Sequence, residues 1–443
     1  MTELNFLIHR SERFLFSIFV RRLSYQTLSM HNSSTRPRNV VFLIIVAALG
    51  YFVDIYDLLL FLIIKNQSLS GIGVPADSIT EVGLTLMNWQ MAGLLLGGLV
   101  WGIFGDKKGR LSVLFGSILM YSLANIANGF VQDIHTYALL RFIAGVGLAG
   151  ELGAGITLIS ETMTKEKRGY GTMIVSTVGI LGAVAAYYVA DFFNWRTAFF
   201  VGGGMGLFLL VLRIGVFESS MFSKINHQQV KKGNLLMLLR DGGKFKKYIY
   251  SILIAVPVWF VVGILVGVAP EFGKALGMRD TVDTGKGIMF AYIGISAGDF
   301  LSGTLSQIFK TRKKIVYAFL TLTYLGILYF LTSNGMTASA FYVMCVCLGI
   351  ATGYWVVFVT MACDQFGTNL RATVTTTAPN FVRGSLILVT MLFTFLSPQI
   401  GIVTSALVVG TLTVFVAFYA LWHLDETYGK DLDYLEEVGD SGL

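Results

Sequence analysis

Apolar and polar positions along the chain separate into long apolar runs and short charged loops. Twelve runs stand out, at 39–64, 82–104, 111–131, 137–159, 169–192, 197–217, 248–269, 286–309, 315–332, 340–362, 372–396 and 400–423. Runs of ~20 residues, rising ~1.5 Å per residue in a helix, cross a ~30 Å hydrocarbon layer. The pattern predicts an all-α membrane protein of twelve transmembrane helices. One stretch sets the unit: AGLLLGGLVWGIFGDKKGR, from Ala92 to Arg110. Its helix carries Gly93, Gly97, Gly98 and Gly102 at or near four-residue spacing, which lets another helix approach closely in lipid. It then breaks into the charged loop GDKKGR. The pattern returns from Ala297 to Lys314, and at an offset of 205 Ala92, Gly93 and Gly98 fall on Ala297, Gly298 and Gly303. A second echo places Glu161 seven residues before Arg168 and Asp364 seven before Arg371. The chain therefore reads as two copies of one six-helix unit, which in a membrane protein points to transport.

Composition agrees: of 443 residues, 55% are hydrophobic and 13% charged, with mean hydropathy +0.70. The net charge of +7 suggests nucleic acid only until the charges are placed. The N-terminus, the loops at 105–110, 160–168, 218–247, 310–314 and 363–371, and the tail hold 25 of the 33 Lys and Arg. Opposite-side loops hold five (Lys65, Arg196, Lys274, Arg279 and Lys286), and three lie inside spans. The positive-inside rule then makes both termini cytoplasmic, which requires an even number of spans. The expected organisation is a cytoplasmic N-terminal segment (1–38), a six-helix half (39–217), a cytoplasmic linker (218–247), a second half (248–423) and a cytoplasmic tail (424–443). The expected address is a bacterial inner (plasma) membrane. Residues 14–20 are too short for a span; they are either an interfacial stub or, if Met30 is the true start, outside the protein. Cys345, Cys347 and Cys363 read as small core residues rather than a disulfide or metal site.

Charges inside the spans carry the chemistry, since each costs ~2.5–3.5 kcal/mol or more at the bilayer centre unless paired or hydrated. Asp54 and Asp57 lie three residues apart in the outer half of span one, and Arg141 lies at comparable depth in span four. An Asp–Arg pairing across these spans is geometrically reasonable, and a carboxylate there is a candidate proton site tuned by Arg141. Glu151 sits among Gly147, Gly150 and Gly153, as a proton carrier or a packing residue. Arg383, at mid-depth in span eleven after Pro379 and Asn380, wants an anion: a substrate carboxylate or phosphate, or Asp299 of span eight. Asn380, Asn88, Gln90, Tyr354 and Trp355 are candidate substrate-binding neighbours. Trp89, Tyr187 and Tyr188 are further candidates to line a cavity.

On the cytoplasmic side, Asp106 is placed to cap span three or to face another helix's positive end, and Arg110 to pair with Glu161. The loop GDKKGR resembles the signature between spans two and three of the major facilitator superfamily. FVDIYDLLLF, RFIAGVGLAGELG, ETMTKEKRG, NWRTAFF, FESSMF and DETYGKDLD resemble its metabolite:proton and sugar symporters. The resemblance covers the chain from about residue 39. It implies a gating role for Gly105, Asp106, Gly109, Arg110, Glu161 and Arg168, and a functional glutamate at Glu151. Two departures stand against it. Span seven lacks the paired glutamines of a sugar porter, and the second-half loop KTRKK has lost the acidic and glycine positions.

There is no GxxxxGK[ST] phosphate loop, no HExxH and no metal-spaced Cys/His set, so neither an ATP engine nor enzyme chemistry is expected. The expected function is symport of a small polar, anionic metabolite by alternating access, driven by the proton gradient with no bound cofactor. Asp54, Asp57 and Glu151 are the expected proton sites, with Arg141 tuning the first two, and Arg383 is the substrate anchor. The expected partners are the small-molecule substrate, protons and the lipid bilayer, not nucleic acid, and the protein is expected to be a monomer. A proton antiporter exporting drugs or metabolites, and a non-transporting receptor on the same scaffold, remain the alternatives.

Overall fold

Without water, an apolar run satisfies its backbone polar groups most simply as an α-helix. The computed structural model describes residues 37–108, 110–151, 168–212, 238 and 240–429, with the backbone alone at 37–43, 105–108, 110–111, 168–170, 172, 368 and 372. The helices of the first half are α1 (Pro37–Gly71), α2 (Ile79–Lys108), α3 (Arg110–Asn128), α4 (Ile134–Leu148), α5 (Arg168–Ile180 and Gly182–Phe192) and α6 (Trp195–Leu212). In the second half, α7 is broken into Gly242–Leu253, Val256–Phe260, a π turn Val261–Val266 and Ala269–Ala275. It is followed by α8 (Thr284–Ile308), α9 (Lys313–Thr332), α10 (Ala338–Thr352 and Trp355–Asp364), α11 (Thr368–Gly384 and Leu386–Ile400) and α12 (Ile402–His423). Among the described residues, ten helices are long and apolar enough to cross a membrane, and Ser112–Asn128 and Ile134–Leu148 are two shorter apolar ones. The twelve-helix expectation holds. From Leu43 onward these residues form one compact unit; of the preceding unit, Met1–Phe42, only the start of α1 is described.

Two boundaries differ from expectation. Helix α1 continues to Gly71, so Lys65 is not an outer-loop charge. It is buried and donates from Nζ to the Gly267 carbonyl at 3.2 Å. Helix α7 starts at Gly242, inside the expected linker, because the Asp241 side chain caps it by accepting from the Gly243 and Lys244 amides. Most of that linker and the ends of the chain lie outside the described residues.

The repeat is visible in how the helices cross. A Cβ on Gly93 would lie 2.1 Å from the Phe142 carbonyl oxygen, and one on Gly97 2.4 Å from that of Val146. Where α8 crosses α10, Gly294 stands 2.2 Å from the Val346 oxygen and Gly298 2.4 Å from that of Ile350 by the same measure. Only glycine allows backbones this close. These contacts relate Gly93 to Gly294 and Gly97 to Gly298, an offset of 201 (294 − 93), not 205. The sequence register is thus one helical turn out, since glycines spaced by four match one another after a four-residue slip. The halves meet along α2 with α11 and α5 with α8. Gly98 packs on Asn380, Gly102 on Thr377 and Gly303 on Met173. Large apolar side chains such as Phe192 and Trp422 face outward, each 74% exposed, whereas Asp54, Asp57, Arg141 and Arg383 are buried. Apolar outside and charged inside is the arrangement a lipid surround requires. The protein is an integral, multi-pass membrane protein.

Candidate functional site

The centre is an ion pair between the halves. Arg383 Nη2 of α11 donates to Asp54 Oδ2 of α1 at 3.4 Å, with side chains 1% and 0% exposed. The helix supports the cation: Arg383 sits in the last turn of Thr368–Gly384, where the helix dipole is negative. One turn earlier, Asn380 accepts weakly from Arg383 Nη1 at 3.5 Å. Asn380 is itself fixed by donating to the Thr376 carbonyl at 2.7 Å and, across the halves, to that of Ala149 at 2.8 Å. The Trp355 ring lies 5.9 Å from the guanidinium carbon. Two buried donors here, Arg383 Nε and Trp355 Nε1, have no acceptor among the described residues. Buried N–H groups are rarely left so. Tyr51 and Tyr292, both buried, lie within electrostatic reach of Arg383 and Asp54.

The expected pairing of Asp54 and Asp57 with Arg141 is not what forms. Three residues along a helix turn a side chain by ~60° and raise it ~4.5 Å, so the two carboxylates meet different neighbours. Asp54 faces the second half, whereas Asp57 faces α4 and α6. Arg141 donates from Nη2 to Asn125 Oδ1 at 2.8 Å and from Nε to Asn128 Oδ1 at 3.2 Å. Its guanidinium carbon also lies 4.7 Å from the Phe199 ring centre. Asp57 is within electrostatic reach of Arg141 but makes no ion pair with it, and neither of its carboxylate oxygens has a hydrogen-bond partner among the described residues. Gly202 makes room for it, since a Cβ there would fall 2.2 Å from Asp57 Oδ1. Asp299 does not reach Arg383 either. Its oxygens accept from the Ser176 hydroxyl at 2.6 Å and the Val356 amide at 3.2 Å.

The other candidates divide. Glu151 is buried at the end of the described part of the fourth span. Asn88 joins the halves by accepting from the Thr390 hydroxyl at 3.1 Å. Gln90 Nε2 donates to the Leu58 carbonyl at 3.3 Å and the Tyr354 hydroxyl to that of Ile254 at 3.0 Å, so both are held by backbone. Trp89 is 49% exposed and Tyr188 48%; Tyr187 is half-buried. Of the gating set, Glu161 and Gly109 lie outside the described residues, as do the side chains of Asp106, Arg110 and Arg168, and only the backbone of Gly105 is described. Their second-half counterpart is described: Arg312 Nη1 pairs with Asp364 Oδ2, and the same nitrogen donates to Thr427 of the tail at 3.0 Å. Sequence reasoning missed Tyr51, Tyr292 and Ser176. The helical spacing of Tyr51 from Asp54, and of Tyr292 from Asp299, was the available signal.

Residues 40–385 match the model of the Major Facilitator Superfamily. A putative metabolite transport protein of Haemophilus influenzae is 27% identical over 273 residues, covering 59% of this chain and 66% of that protein. A gentisate transporter of Corynebacterium glutamicum is 22% identical over 395 residues, 85% of this chain and 86% of that one. Among solved structures, that of the proton:xylose symporter XylE bound to 6-bromo-6-deoxy-D-glucose aligns over 89% of this chain and 98% of its own. Its TM-score is 0.68 at 16% identity, a likeness of fold.

Proposed function

The chain belongs to the Major Facilitator Superfamily, and from that premise we propose that it is a proton-coupled symporter of a small carboxylate-bearing metabolite. The observation that carries this is the state of Arg383. It makes one 3.4 Å contact to Asp54, while its Nε and the neighbouring Trp355 Nε1 lack acceptors among the described residues. A guanidinium is best satisfied by a bidentate carboxylate, so a substrate carboxylate and Asp54 compete for the same cation. Ionised Asp54 holds Arg383. Once Asp54 takes a proton, Arg383 is released to a substrate anion, and the net charge of the site is zero in both states. Loading proton and substrate together thus avoids an uncompensated buried charge, whereas loading either alone does not. The aromatic rings of Tyr51, Tyr292 and Trp355 favour a ring-bearing acid, in keeping with a gentisate transporter among the relatives.

Asp57, with Arg141 in reach, and Glu151 serve as further proton sites. Asn380 and Asn88, which bond across the halves, respond to their movement. On the cytoplasmic side, the Arg312–Asp364 pair supports the same latch in the first half, because Arg110 and Glu161 precede these residues by 202 and 203 positions. Gly105, Asp106 and Gly109 of the 105–110 loop and Arg168 of the 160–168 loop complete that latch. The chain works as a monomer in a bacterial inner membrane with both termini cytoplasmic, as its basic loops favour.

Proteoliposomes loaded at neutral pH and diluted into acidic buffer with radiolabelled gentisate, benzoate or nicotinate test the proposal. Symport predicts accumulation only with the outside acidic. Expulsion would mean antiport, and binding without flux a receptor; either overturns the proposal.

A further inference from the structure

A buried carboxylate that the cycle above does not use lies in the other seam between the halves. Asp299 of α8 is fully buried, and its two oxygens have partners of different kinds. Oδ1 accepts from the Val356 amide, in the first turn of the second segment of α10. That bond lies inside the second half. The interruption of α10 presses on Asp299 because a Cβ on Gly353 would fall 2.5 Å from Gly298 Cα. Oδ2 accepts from the Ser176 hydroxyl of α5, which belongs to the first half. The seam continues in the Ser296 hydroxyl, which donates to the Thr177 carbonyl at 2.9 Å, and in Met173 against Gly303.

We propose that Asp299 is a further proton-bearing residue of the transport cycle, its protonation governed by the making and breaking of the α5–α8 contact between the halves. A carboxylate without a cation keeps its charge only through hydrogen-bond donors. Among the described residues no Lys or Arg forms an ion pair with Asp299. Facing it are the Ser176 hydroxyl from α5 and the α10 backbone, and within electrostatic reach is the titratable Tyr51 of α1, which also interacts with Arg383 and Asp54. Rigid-body motion of the halves leaves the Val356 bond in place and removes the Ser176 bond. The group then holds its charge with one donor fewer, which favours taking a proton. A carboxylate that merely capped the second segment of α10 would need no such movable partner, and asparagine would serve it equally well.

This rests on the proton-coupled reading, but its test needs no substrate. The full chain in lipid is titrated and the C=O band of protonated carboxyls followed by infrared difference spectroscopy. Asp299→Asn should delete one titrating component, which Asp54→Asn retains. Ser176→Ala should move that component to higher pH by about one unit or more, because a donor to the charged form is lost. In proteoliposomes, Asp299→Asn should flatten one limb of the pH profile of benzoate uptake. A spectrum unchanged by Asp299→Asn, or a component unmoved by Ser176→Ala, overturns the proposal even where gradient-driven uptake succeeds. Failure of uptake in the wild type with the infrared component present refutes the symport reading alone. Ser176→Ala, which removes one hydroxyl, keeps the test open if Asp299→Asn fails to fold.

Discussion

Asp54→Asn separates competition for Arg383 from simple electrostatic attraction. The substitution keeps an acceptor at the same place and removes the charge and the proton. In the wild type at alkaline pH, an arriving carboxylate must displace Asp54 from Arg383 Nη2, a 3.4 Å contact between groups no more than 1% exposed. A hydrogen bond to a charged group contributes about 1.5–3 kcal/mol. Relief from that competition therefore raises substrate affinity about 10–150-fold at alkaline pH. At a pH low enough to protonate wild-type Asp54, the two proteins should bind alike. The variant's affinity is then nearly independent of pH, and its gradient-driven accumulation is lost while exchange of internal for external substrate continues. Equilibrium binding of radiolabelled benzoate across pH, with counterflow in proteoliposomes, measures both. The variant leaves Arg383 a buried cation with only a neutral partner, so its stability without ligand should fall by up to ~3–5 kcal/mol and recover on benzoate binding. A variant that binds benzoate with the wild-type pH dependence, or more weakly at alkaline pH, refutes competition at Arg383.

Three further outcomes follow from the same contacts. Arg383→Lys keeps the charge but not the bidentate geometry, so apparent affinity for benzoate should weaken at least tenfold; an unchanged uptake constant would move the anchor elsewhere. Gly202→Ala puts a methyl 2.2 Å from Asp57 Oδ1, and overpacking of about 1–3 kcal/mol should lower the melting temperature in detergent while Gly204→Ala, which meets nothing within 4 Å, does not. In the tail, burial pushes the Glu426 carboxyl up, but donors including the Thr311 hydroxyl and the amides of Arg312, Lys313 and Tyr428 outweigh it and hold the group below its ordinary value of 4.5. Its contribution is therefore complete above that value and lost as pH falls through the lower, folded one. Glu426→Gln should flatten the acid limb of thermal stability by detergent-solubilised melting; equal slopes in wild type and variant would refute this.

The twelve helices were legible because twenty apolar residues in succession leave little alternative in lipid. The buried charges were legible for the same reason, since Asp54, Asp57, Arg141, Glu151 and Arg383 each stand out against apolar neighbours. Their partners were not. Asp54 and Arg383 are 329 residues apart, and no local periodicity says which face of α1 turns toward α11. The expected Asp54–Arg141 pair came from matching depth along two spans, which leaves rotation about each helix axis undetermined. Asn125 and Asn128, which hold Arg141, do not stand out from composition because amides in a span carry no charge. The repeat register failed for a related reason. Glycines recurring every four residues mark the face that packs, and a slip of one turn leaves that face unchanged.

The structure's near-symmetry bears on coupling because the charges do not obey it. The crossings of α2 with α4 and of α8 with α10 repeat glycine for glycine, so the two halves are built as equivalent frames. Within them, the first half carries Asp54, Asp57, Glu151 and Arg141, while Arg383 comes from the second. Asp299 accepts one bond from each. Under the proposed alternating access, carboxylate and guanidinium are thus divided between bodies that would move relative to each other. A pair contained in one half, such as Asp57 and Arg141, would keep its mutual geometry through the cycle and could respond only through a change in its access to water. Asp54–Arg383 and Ser176–Asp299 instead change whenever α1 and α5 shift against α11 and α8. On the proposed symport, a proton bound on one body would alter the affinity of the other for an anion, and by linkage the anion would alter the affinity for the proton by the same factor.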